Sequence, residues 1–222
     1  MRYTLQVQYI GKNYAGSQIQ FENGIEIQTP TIQGELEKAI STLIFGDTEN
    51  NNRQLKTVFS GRTDRGVNSK GQIIHFDTDK PIVASKFVYQ LNEILPKDIS
   101  VSDLKQVDAS FHAQKSAKRR FYRYVFINRK CKNAFDGDLM RIKYDINIER
   151  MQNALNYLLG EHDFSSFKSS GTLNPSKVCF IEKAECKKDG DFVIIDIVGN
   201  RFLYNMVRTI VGTLLEIEGH NR

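Results

Sequence analysis

The pattern of apolar and polar residues predicts one series of elements twice along the chain. Alternation of apolar and polar residues indicates strands, and apolar residues recurring every three or four positions indicate amphipathic helices. In the first half these patterns predict, in order, a strand at 3–10, a helix at 32–44 with Thr31 as its N-cap, strands at 57–60 and 72–76, a helix at 85–95 and a strand at 99–107. In the second half they predict a strand at 120–127, a helix at 148–159, a strand at 192–198 and an apolar helix at 202–217.

The repetition divides the chain into two related halves, 1–109 and 110–222. The first series closes with a helix and then a strand, whereas the second closes with its helix. On this pattern we expect the second half to lack its last strand. Either the chain is truncated, or it does without this strand.

Composition and charge narrow the class of protein. The chain has 222 residues with 31 basic and 26 acidic side chains, a net charge of +5, which permits an acidic partner such as nucleic acid without establishing one. There is no apolar run of the ~20 residues that a membrane helix needs. The three cysteines have no Cys-x-x-Cys spacing and the four histidines are scattered. We therefore expect a cytoplasmic protein with reduced thiols, no metal and no membrane segment.

Asp64 lies in a turn bounded by Gly61 and Gly66 and flanked by Arg62 and Arg65. The ordinary interpretation is a turn-forming aspartate beside a glycine. The alternative is an ionised carboxylate that neighbouring guanidinium groups present to a phosphate-bearing substrate. A lone aspartate favours the first interpretation, and the preceding strand and the cations on both sides favour the second.

Cations and aromatic residues alternate over residues 115–132. Such a stretch suits nucleic acid, because cations neutralise phosphates and rings stack on bases. A half-buried strand whose arginines extend to solvent is an equally good interpretation. On a strand, one face would carry Arg119, Phe121 and Arg123, and the other face would carry Arg120, Tyr122 and Tyr124.

Arg208 lies in an otherwise apolar predicted helix, so we expect it to be at least partly buried and to need an acidic partner, Asp64 among the candidates. The alternative places it on an exposed stripe. The segment 160–167 combines acidic residues with a histidine but contains no recognisable nucleophile arrangement, and we interpret it as a loop. The chain has no nucleotide-binding glycine loop and no zinc-deaminase pattern.

Taken in order, these segments resemble the bacterial tRNA pseudouridine synthase A family over nearly the whole chain. The motifs that carry the resemblance are Gly61-Arg62-Thr63-Asp64-x-Gly66-Val67, Arg120-x-Tyr122-x-Tyr124 and Phe202-Leu203-x-x-Met206-Val207-Arg208. The sequence departs from the family pattern at several positions: Ile10, Ser17, Arg65, Asn68 and Ser69.

The resemblance implies an α+β fold of two related ferredoxin-like, RNP-like halves that share a mixed or antiparallel sheet with helices on one face. It also implies an isomerase, usually a homodimer, that converts uridine to pseudouridine at positions 38, 39 and 40 of the tRNA anticodon stem-loop without any cofactor. The competing hypotheses are a non-catalytic RNA-binding module and a truncated, inactive paralogue.

The resemblance also assigns roles to individual residues. Asp64 corresponds to the catalytic aspartate, Arg208 to its paired arginine, and Tyr122 to the aromatic residue that packs on the target base. The cations around these motifs are the candidate RNA-binding residues: Arg62, Arg65, Lys118, Arg119, Arg120 and Arg123.

Overall fold

The computed structural model describes residues 1–22, 25–26, 28–46, 55–169 and 176–219. The chain divides into two compact units, Met1–Ala117 and Lys118–Arg222, each with its own buried apolar core. Both units combine helices with a largely antiparallel sheet, which confirms the predicted α+β class.

The first unit is built on an antiparallel sheet. Its elements are β1 (Arg2–Tyr9), β2 (Phe21–Glu22), β3 (Ile25–Glu26), α1 (Ile32–Phe45), β4 (Thr57–Phe59), β5 (Ser69–Asp77), α2 (Ala84–Ile94), β6 (Ile99–Val107) and the single turn α3 (Ala113–Ser116). The main sheet has the order β4-β5-β1-β6, and β2 pairs with β3 in a small hairpin. In β1 every second side chain is buried (Tyr3, Leu5, Val7 and Tyr9), which confirms the alternation.

Helix α1 follows the prediction closely. The Thr31 hydroxyl accepts a hydrogen bond from the backbone N–H of Gly34 at 3.1 Å, as an N-cap residue does. The buried face of the helix contains Leu36 and Ile40, one helical turn apart. The helix ends at Gly46, whose positive φ of 85° is a conformation that glycine adopts without steric cost.

The second unit repeats the order of the first. Its elements are β7 (Arg120–Asn128), β8 (Arg141–Ile142), α4 (Ile148–Asn156), β9 (Gly160–Asp163), β10 (Val178–Asp189), β11 (Phe192–Gly199) and α5 (Met206–Gly219). The sheet order is β8-β7-β11-β10-β9. In both units the first strand pairs with the second strand of a hairpin, β1 with β5 and β7 with β11. The described strands thus form two larger sheets, one in each unit.

Several elements of the second unit differ from the predictions, among them the two-residue strand β8, which the sequence analysis did not predict. Residues 160–163 form an edge strand paired with β10, so the predicted loop is wrong at this point. The prediction omits β10 itself, whose alternation is interrupted by a register shift between Ile181 and Lys183. Helix α5 begins at Met206 rather than at 202, because Asn205 has a positive φ of 59° that a right-handed helix does not contain.

The segment after β6 packs on the first unit. The Arg2 guanidinium donates to the carbonyl oxygens of Ala109 at 2.7 Å and Phe111 at 2.6 Å. The Ala113 N–H donates to His75 Nδ1 at 3.1 Å. These bonds hold residues 109–113 against the first unit, and by its contacts this unit ends at Ala117. The sequence analysis divided the two halves after residue 109.

Candidate active site

Asp64 lies in the first unit, on the loop between β4 and β5. Asp64 is partly buried, and its carbonyl oxygen accepts a hydrogen bond from the Val67 N–H at 3.1 Å, which closes a tight turn. Gly66, within this turn, has a positive φ of 77°. The sequence prediction of a turn at this point is confirmed.

The residue before Asp64 is held by the segment that follows β1. The Thr63 N–H donates to Ser17 Oγ at 2.8 Å, and the Ser17 N–H donates to the Thr63 carbonyl at 3.0 Å. The hydroxyls of Tyr9 and Thr63 are hydrogen-bonded at 2.8 Å. Gly16 and Asp64 form an isolated antiparallel bridge. Gly16 has a φ of 141°, and a Cβ there would lie 2.9 Å from the Thr63 carbonyl oxygen, so the close approach requires glycine.

The residues after Asp64 are held by Gly11. The Gly11 N–H donates to Asn68 Oδ1 at 2.8 Å. A Cβ on Gly11 would overlap the carbonyl oxygen of Val67, so this contact also requires glycine. At the start of the loop, the Gln72 side-chain amide donates to the Gly61 carbonyl. The loop around Asp64 is therefore tied to the sheet and to the segment after β1.

Arg62 and Arg65 are exposed residues on the same loop as Asp64. Two guanidinium groups and one carboxylate thus lie within four consecutive residues. Cations at these positions attract a polyanion.

Tyr122 lies on β7 in the second unit and is partly buried. Its ring packs edge-on against Phe202, with 4.8 Å between the ring centroids. The burial pattern of this strand confirms the predicted faces, because Phe121 and Arg123 are exposed and Tyr122 and Tyr124 are partly buried. The neighbouring Phe202 therefore supports the Tyr122 ring from one side.

Arg208 lies in the first turn of α5 and is exposed, so the expectation that it is at least partly buried is wrong. The buried side of α5 is formed by Met206, Ile210, Val211 and Leu214. Arg208 lies away from that side because α-helical residues spaced three or four apart share a face. A long side chain on the outer side of the helix keeps its guanidinium in reach of water and of other groups.

Three of the four candidate RNA-binding residues around the start of β7 have partners within the second unit. Arg119 Nε donates to Glu182 at 2.6 Å, and an Arg120 guanidinium nitrogen donates to the Asn200 carbonyl at 2.6 Å. Arg123 forms a bidentate pair with Asp196, both distances being 2.7 Å. Hydrogen bonding from Arg123 lowers the pKa of the buried Asp196 carboxyl below its usual range. Lys118 is exposed.

Comparisons with known proteins agree with the resemblance. A family model described as tRNA pseudouridine synthase matches residues 154–222. The tRNA pseudouridine synthase A of Anoxybacillus flavithermus is 43% identical over 213 residues, which cover 95% of this chain and 81% of the relative. That of Colwellia psychrerythraea is 38% identical over 218 residues, covering 98% of this chain and 79% of the relative. The chain belongs to the tRNA pseudouridine synthase A family. It is thereby assigned to a family of isomerases.

In this pseudouridine synthase family member, Asp64, a predicted catalytic residue, lies in the first unit. The other predicted catalytic residue, Arg208, and the predicted substrate-binding residue, Tyr122, lie in the second unit. The sequence analysis did not identify the contacts that hold the Asp64 loop, although Ser17 and Asn68 stood out as departures from the family pattern. These contacts join residues 46 and 57 positions apart, which no local pattern reveals.

Within ranges 1–22, 25–26, 28–46, 55–169 and 176–219, no group of three or more His, Cys, Asp or Glu side chains is placed to hold a metal ion. Across the same part of the chain, every helix is too short or too polar to cross a bilayer.

Proposed function

We propose that this chain isomerises uridine to pseudouridine at positions 38, 39 and 40 in the anticodon stem-loop of tRNA. The observation that carries the proposal is Asp64 on a loop held at both ends, flanked by two arginines, in a member of the tRNA pseudouridine synthase A family. A chain of this kind would work in the cytoplasm, where its tRNA substrate is.

The reaction accounts for a carboxylate at the centre of the site. The N-glycosidic bond of uridine breaks, the ring is reattached through C5, the C5 hydrogen leaves and N1 gains one, so the composition of the nucleotide is unchanged. Asp64 either attacks the sugar or the base as a nucleophile or acts as a base toward the sugar, and both roles need the ionised form. The target base must leave the stack, at a cost of a few kcal/mol.

We assign the remaining roles on the same basis. Tyr122 would pack on the flipped base and recover part of the unstacking cost, since an aromatic contact with a base contributes ~1–3 kcal/mol. Arg208 would pair with Asp64 and keep it ionised. The exposed Arg62, Arg65 and Lys118 would contact RNA phosphates. A second copy of the chain would complete a homodimer.

Release of label from tRNA carrying tritium at uridine C5 tests the proposal. We expect the chain to release label and Asp64→Ala to release none above the level of protein-free buffer. Asp79→Ala, which removes an exposed carboxylate after the end of β5, is the matched control and should behave as the wild type. Label release by Asp64→Ala at the wild-type rate would exclude Asp64 as the catalytic residue.

A non-catalytic RNA-binding module is the second candidate. It is favoured by the exposed Phe121 ring, over which the Arg123 guanidinium lies at 5.7 Å from the centroid. Binding of tRNA that weakens steeply with salt, together with no label release from the wild type, would support this candidate over the isomerase.

A further inference from the structure

We infer that Ser17 and Asn68 are positioning residues that hold the Asp64 loop from both sides of the aspartate. The inference rests on the proposed catalytic role of Asp64 and concerns how its carboxylate is kept in place. Ser17 binds Thr63, the residue immediately before Asp64. Asn68, which lies four residues after Asp64, binds the backbone of Gly11.

Ser17 is the more deeply placed of the two. Its side chain and backbone are fully buried, and its Oγ is the acceptor for the Thr63 N–H at 2.8 Å. Removal of this hydroxyl would leave the Thr63 N–H without its acceptor. Because a buried N–H without an acceptor is unfavourable, the Thr63 backbone would shift toward another hydrogen-bond partner. Asp64 is the next residue, so a shift of Thr63 is transmitted to it directly.

Ser17 is itself fixed by the start of α1. The Gln33 N–H donates to the Ser17 carbonyl at 3.0 Å, and the Ile32 N–H donates to the Gly16 carbonyl at 3.2 Å. The first N–H groups of a helix have no acceptor within the helix, so they are available for this role. A helix packed on the core of the unit thereby sets the position of Ser17, and Ser17 sets the position of Thr63.

Asn68 holds the other end of the loop from an exposed position. Its Oδ1 accepts from the Gly11 N–H at 2.8 Å. The Gly11 segment is anchored in turn, because the Ile10 N–H donates to the Asp98 carbonyl at 2.9 Å and the buried Tyr14 hydroxyl donates to the Asp98 carboxylate at 2.6 Å. An exposed side chain contributes little to the core, so its removal tests the position of the loop with little effect on folding.

Both residues stand where this sequence departs from the family pattern. A hydroxyl at position 17 and an amide at position 68 supply the two acceptors that the structure uses on either side of Asp64. The two side chains are therefore expected to act together on one loop. Small displacements of a reacting group are costly, since misplacement by about 1 Å can lower a rate ~100-fold.

The test combines kinetics with amide hydrogen exchange. The variants are Ser17→Ala, Asn68→Ala and Asn68→Asp. Ser69→Ala is the matched control, because the Ser69 hydroxyl accepts a local bond from the Gly71 N–H, two residues away on β5. We expect kcat for label release to fall ~10-fold in each of the first two variants, with KM changed less than ~2-fold. We expect Ser69→Ala to keep the wild-type kcat and KM.

Asn68→Asp separates positioning from RNA binding. The aspartate retains an acceptor for the Gly11 N–H, so kcat should stay within ~2-fold of the wild type, whereas the added negative charge should raise KM for a polyanionic substrate. If Asn68→Asp loses kcat as Asn68→Ala does, the acceptor role of Asn68 is wrong.

Amide exchange provides a readout independent of activity. We expect the Thr63 amide to exchange at least ~10-fold faster in Ser17→Ala, and the Gly11 amide to do so in Asn68→Ala, while melting temperatures confirm folded variants. Unchanged exchange at both amides would refute the inference. If Asp64→Ala is inactive while Ser17→Ala and Asn68→Ala retain kcat, the inference fails and the proposed function stands. If the wild type releases no label, the proposed function fails and the exchange data alone decide whether the loop is held in this way.

Discussion

The ion pair between Arg123 and Asp196 gives the sharpest prediction for stability. The Asp196 side chain is 5% exposed, whereas that of Arg123 is 45% exposed. Arg123→Met keeps the length of the side chain but leaves a buried carboxylate without its bidentate partner, a change that costs about 3–5 kcal/mol in buried pairs. Because the arginine end of this pair is half-exposed, water can reach the carboxylate in the variant. We therefore expect a loss in the free energy of unfolding at pH 7 that is smaller than this range but larger than that of a surface ion pair.

The loss should depend on pH in a defined direction. In the wild type, hydrogen bonding from Arg123 lowers the pKa of folded Asp196, so the pair stabilises the fold above the ordinary carboxyl pKa and loses this effect as pH falls through the lowered value. In Arg123→Met the pKa of Asp196 should rise, because burial still raises it and only the more weakly acting charges of Lys187 and Lys183 oppose burial. Protonation at low pH then removes the charge that has lost its bidentate partner. The difference in the free energy of unfolding between the variant and the wild type should accordingly become smaller as the pH is lowered from 7 to 4.

Urea unfolding followed by circular dichroism measures both effects, with amide exchange on β11 identifying the transition of the second unit. Arg119→Met is the matched control, because its pair with Glu182 has side chains 70% and 44% exposed, and such surface pairs contribute less than ~1 kcal/mol. Equal losses in the two variants, or a loss in Arg123→Met that is the same at both pH values, would refute the reasoning.

Two further predictions concern the first unit. The buried Glu37 carboxylate accepts from the Thr57 N–H at 2.7 Å, the Thr57 hydroxyl at 2.9 Å and the Gln33 amide at 2.8 Å. Glu37→Ala should therefore lower the urea unfolding free energy by about 3 kcal/mol, whereas Glu37→Gln, which retains an acceptor, should cost about 1 kcal/mol, and equal costs would contradict this account. Burial, and to a lesser extent the charge of Arg2, lowers the pKa of His75, whose neutral Nδ1 accepts from the Ala113 N–H. The free energy of unfolding of the wild type should thus fall as pH drops below the ordinary histidine range. Between pH 7.5 and pH 5, the urea midpoint of His75→Phe should fall less than that of the wild type.

Elements set by local patterns could be predicted from the sequence. Strand β1 and helix α1 lie where alternation and helical spacing place them, and Thr31 caps α1 through a bond to a residue three positions away. Edge strand β9 could not be predicted in this way, because a strand with few buried side chains lacks the alternation and exists through pairing with β10. The start of α5 depends on the backbone conformation of Asn205, which composition does not reveal.

The candidate site, too, could be predicted from the sequence only in part. The sequence by itself determined the family, the turn that contains Asp64 and the two faces of the strand that contains Tyr122, because each is carried by neighbouring residues. The tertiary structure decided that Ser17 supports Thr63 and that Arg123 binds Asp196, pairs separated by 46 and 73 positions. Such contacts form when packing brings distant segments together, and hydrogen bonds depend on distances and angles that no sequence spacing specifies.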